Sequence, residues 1–295
     1  MARYETIGFW EFQKRFSTEE SCRDYLFQLR WPKGFVCPKC GGIGCYPLKG
    51  RKEYVCRQCH KQTSVTDGTV MHRSHLPLAK WFWAMYLMVT DKRGVSAKQL
   101  AAELDISYHS AWYLLRRLRS AMGERDEQYL LSGIVAMDET FFGAPGKGKH
   151  GRGTGKSSVL VALSKDEQGR PQYMRFSVAD VTQKSIQSFL TKCVAPGSTI
   201  QTDGLNLYRK PLAEAGYSHQ VFENKEDSDA LKWVHTILAN AKAFIQGTYH
   251  GLGAKYLQEY LDEFTYRLNR RMHPKELFPR FVTAVASSHI LGADD

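Results

Sequence analysis

Apolar and polar positions change period several times along the 295-residue chain, and each change separates one kind of structure from the next. Over residues 1–30, Phe9, Trp10, Phe12 and Phe16 give an apolar stripe at helical spacing, which predicts an amphipathic helical segment. Residues 31–70 lose that period, with short strand-like pieces among Cys, Gly and Lys. Helical periodicity returns over 76–125 and breaks near Glu124-Arg125-Asp126-Glu127. From Gly133 onward, short apolar runs alternate with amphipathic ones. They predict strands at 133–142, 157–165 and 171–179, a helix at 182–193 and a strand at 197–203. A short helix at about 206–215, a short strand near 218–222, and helices over roughly 228–246 and 253–271 complete the pattern. The order predicts an α/β domain over 130–290, a mixed sheet with flanking helices.

Two of the predicted strands end their apolar runs on a carboxylate. Asp138 follows Gly133-Ile-Val-Ala-Met137, and Asp203 follows Ser198-Thr-Ile-Gln-Thr202. Desolvating a carboxylate at the tip of a buried strand is costly, so two such tips in one domain suggest a metal held between neighbouring strands. Hard cations such as Mg²⁺ favour oxygen ligands, and phosphodiester cleavage can use two of them about 4 Å apart.

The composition supports that direction. The chain is 43% apolar and 12% aromatic, as in a globular protein, and carries a formal net charge of +11. Such a balance favours nucleic acid or an anionic surface as partner, the alternative being a merely soluble basic protein. No apolar run is long enough to span a membrane, and residues 1–13 lack a signal-type core. A cytoplasmic protein is expected, and its seven cysteines then argue for metal ligands or free thiols over disulfides.

Cys37-Pro-Lys-Cys40 and Cys56-Arg-Gln-Cys59 form two CxxC knuckles with 15 residues between them, the spacing of a four-thiolate zinc ribbon over 31–70. Four thiolates leave no open position, so this Zn²⁺ is expected to hold the fold. Cys56-x-x-Cys59-His60 also has haem-attachment spacing, but the second CxxC opposes that. Cys45 lacks a paired knuckle, and Cys22 and Cys193 read as buried thiols. Lys33, Lys39, Lys49, Arg51, Lys52, Arg57 and Lys61 suit phosphate contacts or a solvated basic face.

Within 76–125, Leu100, Ala101 and Leu104 share one face of a short helix, Ile106 falls in a turn, and Ser107 can cap a second helix. Ala111, Leu114, Leu115 and Leu118 form that helix's buried side, with Tyr108, His109, Ser110 and Tyr113 at its exposed start and Arg116, Arg117 and Arg119 beyond. Polar groups near the N-terminus and cations further along suit a helix-turn-helix that reads DNA; a plain helical hairpin is the alternative. Gly151-Arg-Gly-Thr-Gly-Lys-Ser157 fails as a P-loop, because His150 stands where glycine is required and the segment leads into a strand. It reads as a basic hairpin loop, with Lys147, Lys149, Arg152 and Lys156 able to contact phosphates beside Asp138.

The layout of three strands, a helix and a fourth strand bearing the second Asp matches a ribonuclease H-like fold, in which the first and fourth strands are neighbours. At this point the chain resembles a DDE-type bacterial insertion-sequence transposase of the ISXO-like family, whose members begin with a zinc ribbon. The resemblance is carried by Met137-Asp138-Glu139-Thr140-Phe141-Phe142-Gly143, by Thr202-Asp203-Gly204, by Trp233 through Lys242 continuing to Gly247-Thr-Tyr-His-Gly251, and by Tyr260 through Arg271. It implies excision and insertion of a DNA element with Mg²⁺ or Mn²⁺, double-stranded DNA as partner through terminal inverted repeats and target, at least a homodimer on DNA, and a nucleoid-associated location.

Related domains commonly place a Glu on a helix seven residues before a Lys. Here Lys242 fits the Lys, and His235 stands where Glu is expected. His235 and Lys242 share a helix face. Imidazole is a poorer Mg²⁺ ligand than carboxylate and tolerates Mn²⁺ better. Asn240 is a second candidate, and Glu263 a third, whose simpler role is a helix-surface pair with Arg267. Glu139 should point away from Asp138 and is secondary. Arg267, Arg270 and Arg271 are expected along the DNA path or on a solvated helix end. The departure at His235 leaves two other functions open: a captured, inactive DNA-binding regulator, or a metal-dependent nuclease.

Overall fold

A computed structural model describes residues 7–143, 156–222, 229–250 and 252–289. The chain divides into two compact units, Met1–Met122 with His273–Asp295, and Gly123–Met272. No helix among the described residues is long and apolar enough to cross a membrane.

The first unit opens with α1 (Phe9–Phe16) and α2 (Glu19–Arg30). Thr18 closes a capping box with Ser21 at the start of α2, satisfying orphan N–H groups of the first turn. A three-stranded antiparallel ribbon follows, β1 (Cys45–Pro47), β2 (Glu53–Cys56) and β3 (Gln62–Ser64). Arg30 ties it down by donating to the Ser64, Val65 and Asp67 carbonyls. Next come α3 (Leu78–Thr90), α4 (Ala97–Leu104) and α5 (Tyr108–Glu127). Ser96 and Ser107 cap α4 and α5 through the Gln99 and Ser110 N–H groups. Asp105 takes a left-handed conformation in the turn between them, and Leu100, Leu104, Ala111, Leu114, Leu115 and Leu118 are buried as their spacing required.

The sequence pattern gave no helix beyond 271, yet a further helix spans Pro274–Ser287. It carries two prolines, Pro274 and Pro279. Pro274 lies in the first turn, where no N–H is needed, and Leu277, Phe278, Phe281, Val282 and Val285 bury one face. This stretch packs in the first unit, with Phe278 against Phe12, Phe16 and Phe82.

The second unit is built on a five-stranded mixed sheet. β4 (Ile134–Phe142) is central, antiparallel to β5 (Ser157–Lys165), which is antiparallel to β6 (Pro171–Val178). On the other side β7 (Thr199–Thr202) runs parallel to β4, and β8 (Ser218–Val221) parallel to β7. The order β6-β5-β4-β7-β8 is ribonuclease H-like, as the sequence pattern predicted. Both faces of β4 are covered, which is why its run is apolar at both parities. Val135 and Met137 face α6 (Gln183–Cys193) and α7 (Asn206–Glu214) in a core with Ile186, Leu190, Tyr208 and Leu212. Ala136 and Phe142 face α8 (Asp229–Thr248) and α9 (Leu257–Asn269) in a core with Val234, Leu238, Ala241 and Leu261.

The outer edge of β6 is closed by side-chain amides from α9. Gln258 accepts from Val178 N–H and donates to the Phe176 carbonyl, and Asn269 does the same with Met174 N–H and C=O. These bonds occupy groups that an open edge would offer to another strand.

Candidate metal centres

The four cysteines converge as the double CxxC spacing required. Their sulfurs all lie within 4.8 Å of one another, and among the described residues this is the one His/Cys/Asp/Glu cluster of such tightness. The Cys37–Cys59 and Cys40–Cys56 sulfurs are 3.6 and 3.7 Å apart, close to the edge of about 3.8 Å of a tetrahedron with Zn–S near 2.3 Å. Each knuckle is set by its backbone. Gly41 N–H donates to the Cys37 carbonyl and His60 N–H to that of Cys56, both in a left-handed conformation. Burial raises the Cys37 thiol, but the N–H groups of Cys40 and Lys39 outweigh it and bring it down to about 6. Cys56 is lowered in the same way by the N–H groups of Cys59 and Gln58. Gly42 N–H lowers Cys40, yet its thiol neighbours and burial push it up to about 12. Four sulfurs this close ionise together only around a cation, which fits a structural zinc. Cys45 stays outside the cluster, in the β1–β2 ladder opposite Cys56.

In the second unit, β4 and β7 pair in register Ile134↔Thr199, Val135↔Ile200, Ala136↔Gln201. Continued by two residues, that register sets Asp138 against Asp203. Asp203 is exposed just beyond β7 and accepts from Leu205 N–H at 3.2 Å. Asp138 is not at a strand tip; β4 runs on to Phe142, where Thr140 and Phe142 are still buried on the face that packs against α8. Its carboxylate, 14% exposed, accepts from Glu139 N–H at 2.8 Å. Burial pushes its pKa up to about 6; that N–H and His235 pull it down, while the Glu139 and Asp203 carboxylates raise it. Two carboxylates across adjacent strands, one largely desolvated, are relieved by a divalent cation, and this donor set fits Mg²⁺ or Mn²⁺.

α8 brings His235 to Asp138, with Nε2 3.3 Å from Asp138 Oδ2. Lys242, two turns on along the same edge of α8, holds Nζ 6.0 Å from the Phe142 ring centroid. With Lys156 and His250 it lines a cavity of about 800 Å³ walled by Phe142, Ile245, Tyr249 and Leu257. Asn240 is exposed and lies about 140° around the helix from His235, away from Asp138. Glu263 is not on a helix surface: it is 0% exposed, meets Arg267 at 3.6 Å and accepts weakly from Tyr249 OH. Of the candidates for the catalytic centre, the fold thus gathers Asp138, Asp203 and His235.

The expected DNA contacts divide. Tyr108 and His109 are exposed at the start of α5, and Ser110 is half-buried against Ser107. Arg116 lies over the Trp112 ring. Arg117 instead holds the first unit together, donating to the Val70 and His72 carbonyls. Arg270 is 7% exposed, paired with Asp126 at 2.7 Å and stacked over Tyr266. It is a buried structural cation, not part of a solvated helix end. Arg267 is held by Glu263, and Arg271 bonds the Pro171, Gln172 and Leu268 carbonyls. Lys147, Lys149 and Arg152 lie outside the described residues, and Lys156 is half-buried.

One group near the carboxylates was not legible in the strand pattern. Tyr208 of α7, 0% exposed, donates to Glu139 Oε2 at 2.9 Å. Glu139 does point away from Asp138, to the α7 face, and is anchored there. Burial, then Glu139, drives the Tyr208 hydroxyl pKa well up. Thr202 Oγ1, 2.9 Å from His219 Nε2, also accepts from Gly204 N–H in the turn that carries Asp203. The only sequence signal for Tyr208 is its place five residues after Asp203, on the apolar face of a short helix.

Fold and centres together define an α/β protein of the ribonuclease H-like class with a four-cysteine ribbon ahead of its sheet. Residues 130–269 match the ISXO2-like transposase domain, and residues 17–62 match the transposase zinc-ribbon domain. The chain thus carries both the zinc ribbon and the catalytic-region domain of insertion-sequence transposases. It is also similar to an uncharacterized protein in transposable element ISH50 of Halobacterium salinarum, 28% identical over 219 residues that cover 68% of this chain and 72% of that one.

Proposed function

We propose that the chain is a DDE-type DNA transposase that cuts the ends of an insertion sequence and joins each freed 3′-OH to target DNA. The observation that carries this is the Asp138–Asp203 register across β4 and β7 with His235 Nε2 3.3 Å from Asp138. In the first step water attacks the phosphorus and the element's 3′-oxygen leaves as a hydroxyl. In the second that hydroxyl attacks a target phosphorus and displaces the target's own 3′-oxygen. Asp138 and Asp203 would hold Mg²⁺ or Mn²⁺, which when bound activates the attacking oxygen and stabilises the leaving one. His235 offers a nitrogen beside Asp138, as ligand or as proton carrier at Nε2. Lys242 suits a phosphate contact, because its ammonium stands beyond the carboxylates along α8.

Tyr108, His109 and Ser110 suit base edges and Arg116 a phosphate, so the start of α5 is assigned to the terminal inverted repeats. The ribbon lysines add phosphate contacts. Two ends must be brought together, which calls for at least a homodimer on DNA and a nucleoid-associated location. The test supplies pre-cut end DNA, target DNA and Mn²⁺ to wild type and Asp203→Asn. Joined product from wild type alone supports the proposal. Hydrolysis without joining makes the protein a nuclease, and end binding with neither reaction makes it a captured regulator.

A further inference from the structure

Four hydrogen bonds, joined through the bodies of Leu205, Tyr208 and Glu139, connect the two site carboxylates. Leu205 N–H donates to Asp203 Oδ1 at 3.2 Å, and Tyr208 N–H donates to the Leu205 carbonyl at 3.0 Å. The Tyr208 hydroxyl then donates to Glu139 Oε2 at 2.9 Å, and Glu139 N–H donates to Asp138 Oδ1 at 2.8 Å. Two of these bonds are local turns. The Tyr208–Glu139 bond is the long-range one, spanning 69 residues, and it fastens the start of α7 to the middle of β4.

Asp203 needs such a fastening. It lies beyond the last ladder residue of β7, so the sheet alone does not fix its carboxylate. Tyr208 is wholly buried among Ile186, Leu190 and Leu212, which locks its ring, and the hydroxyl reaches the residue next to Asp138. Carboxylates that share a cation must be held within about 0.5 Å of a productive arrangement by their supporting groups.

We propose that Tyr208 and Glu139 are a positioning pair that sets the spacing of the Asp138 and Asp203 carboxylates and so tunes the affinity of the site for a divalent cation. This rests on the assignment of those two aspartates as cation ligands. Both members of the pair act through Asp138 and Asp203, not as cation ligands themselves.

The test measures Mn²⁺ binding by calorimetry and by the electron spin resonance of bound Mn²⁺, using the full zinc-loaded chain without DNA. Tyr208→Phe removes one oxygen and keeps the packed ring. It is expected to weaken Mn²⁺ binding about tenfold, the low end of what losing a supporting hydrogen bond outside the ligands costs, because the bond acts on Asp138 through Glu139. Glu139→Ala should do the same, whereas Glu139→Gln keeps an acceptor for the tyrosine and should bind nearly as wild type. A merely space-filling tyrosine would leave Mn²⁺ affinity unchanged in Tyr208→Phe while Asp203→Asn abolishes binding. That outcome overturns the positioning role and spares the ligand assignment. Wild-type Mn²⁺ binding by Asp138→Asn and Asp203→Asn overturns the ligand assignment itself, and the pair with it.

Discussion

His235 Nε2 lies 3.3 Å from Asp138 Oδ2, so the middle of α8 meets the middle of β4 through an imidazole where a third carboxylate would be expected. Nitrogen donors suit Mn²⁺ better than Mg²⁺. His235→Glu supplies an oxygen donor in the same place. It should lower the Mn²⁺-to-Mg²⁺ ratio of end-cleavage rates by about tenfold, since carboxylate suits Mg²⁺. Cleavage rates in each ion at matched concentration measure this, and an unchanged ratio removes His235 from the cation site.

The β4–β7 pairing that underlies this site was legible because three strands, a helix and a fourth strand match a ribonuclease H-like layout, in which the first and fourth strands are neighbours. His235 was legible too, since seven residues make two helical turns and put it on one edge with Lys242. Glu263 and Arg270 were harder. Their i, i+4 and terminal positions look like a solvated helix surface, and only tertiary packing places Glu263 against Tyr249 and Arg270 against Asp126. The helix at Pro274–Ser287 carries prolines at its first turn and interior, and only its packing against Phe12, Phe16 and Phe82 makes its apolar face evident. Tyr208 left almost no trace, because a buried tyrosine in a short helix reads as core until its hydroxyl partner is known.

Removal of zinc has a local prediction. The Cys37–Cys40 and Cys56–Cys59 knuckles hold a ribbon whose strands are three or four residues long, too short to persist without the metal. Cys56→Ser should lower zinc content from one equivalent to none. Amide exchange should lose its protection over residues 35–64 and keep it over 134–142 and 157–202. Retained protection in the ribbon of the metal-free protein contradicts the structural role.

A pH dependence follows from Asp262 on α9, whose carboxyl burial pushes up to about 7 from 3.8. Gln258 donates to it at 2.8 Å, and a Cβ at Gly123 would come within 2.7 Å of its Oδ2. The folded pKa is the raised one, so the native state holds the proton more tightly. The associated stability is full below pH 4 and is lost as pH rises through 7. The limit is about 4 kcal/mol, lowered by the side chain's remaining exposure to water. Asp262→Asn should raise the melting temperature at pH 8 and lose that advantage by pH 4. Equal melting temperatures at pH 8 refute the shift.

Exposure separates two kinds of polar residue once assigned together to DNA. Tyr108, 62% exposed, and His109 stand at the start of α5, where side chains reach base edges. Replacing both with alanine should cut the preference for terminal-repeat DNA over random DNA by about tenfold or more, one good base contact being worth roughly 1–3 kcal/mol. The fold should be intact. Arg270, paired with Asp126 at 2.7 Å, should behave oppositely. Arg270→Ala leaves the buried Asp126 carboxylate without its charge partner, with only the Asn269 amide still donating to it at 3.1 Å, and should destabilise by about 3–5 kcal/mol, with the DNA preference unchanged in the folded fraction. Replacing both partners with apolar residues of similar volume should recover most of that loss. Denaturant melts and competition binding on the same variants decide it: a lost preference without lost stability in Arg270→Ala would return this arginine to the DNA path.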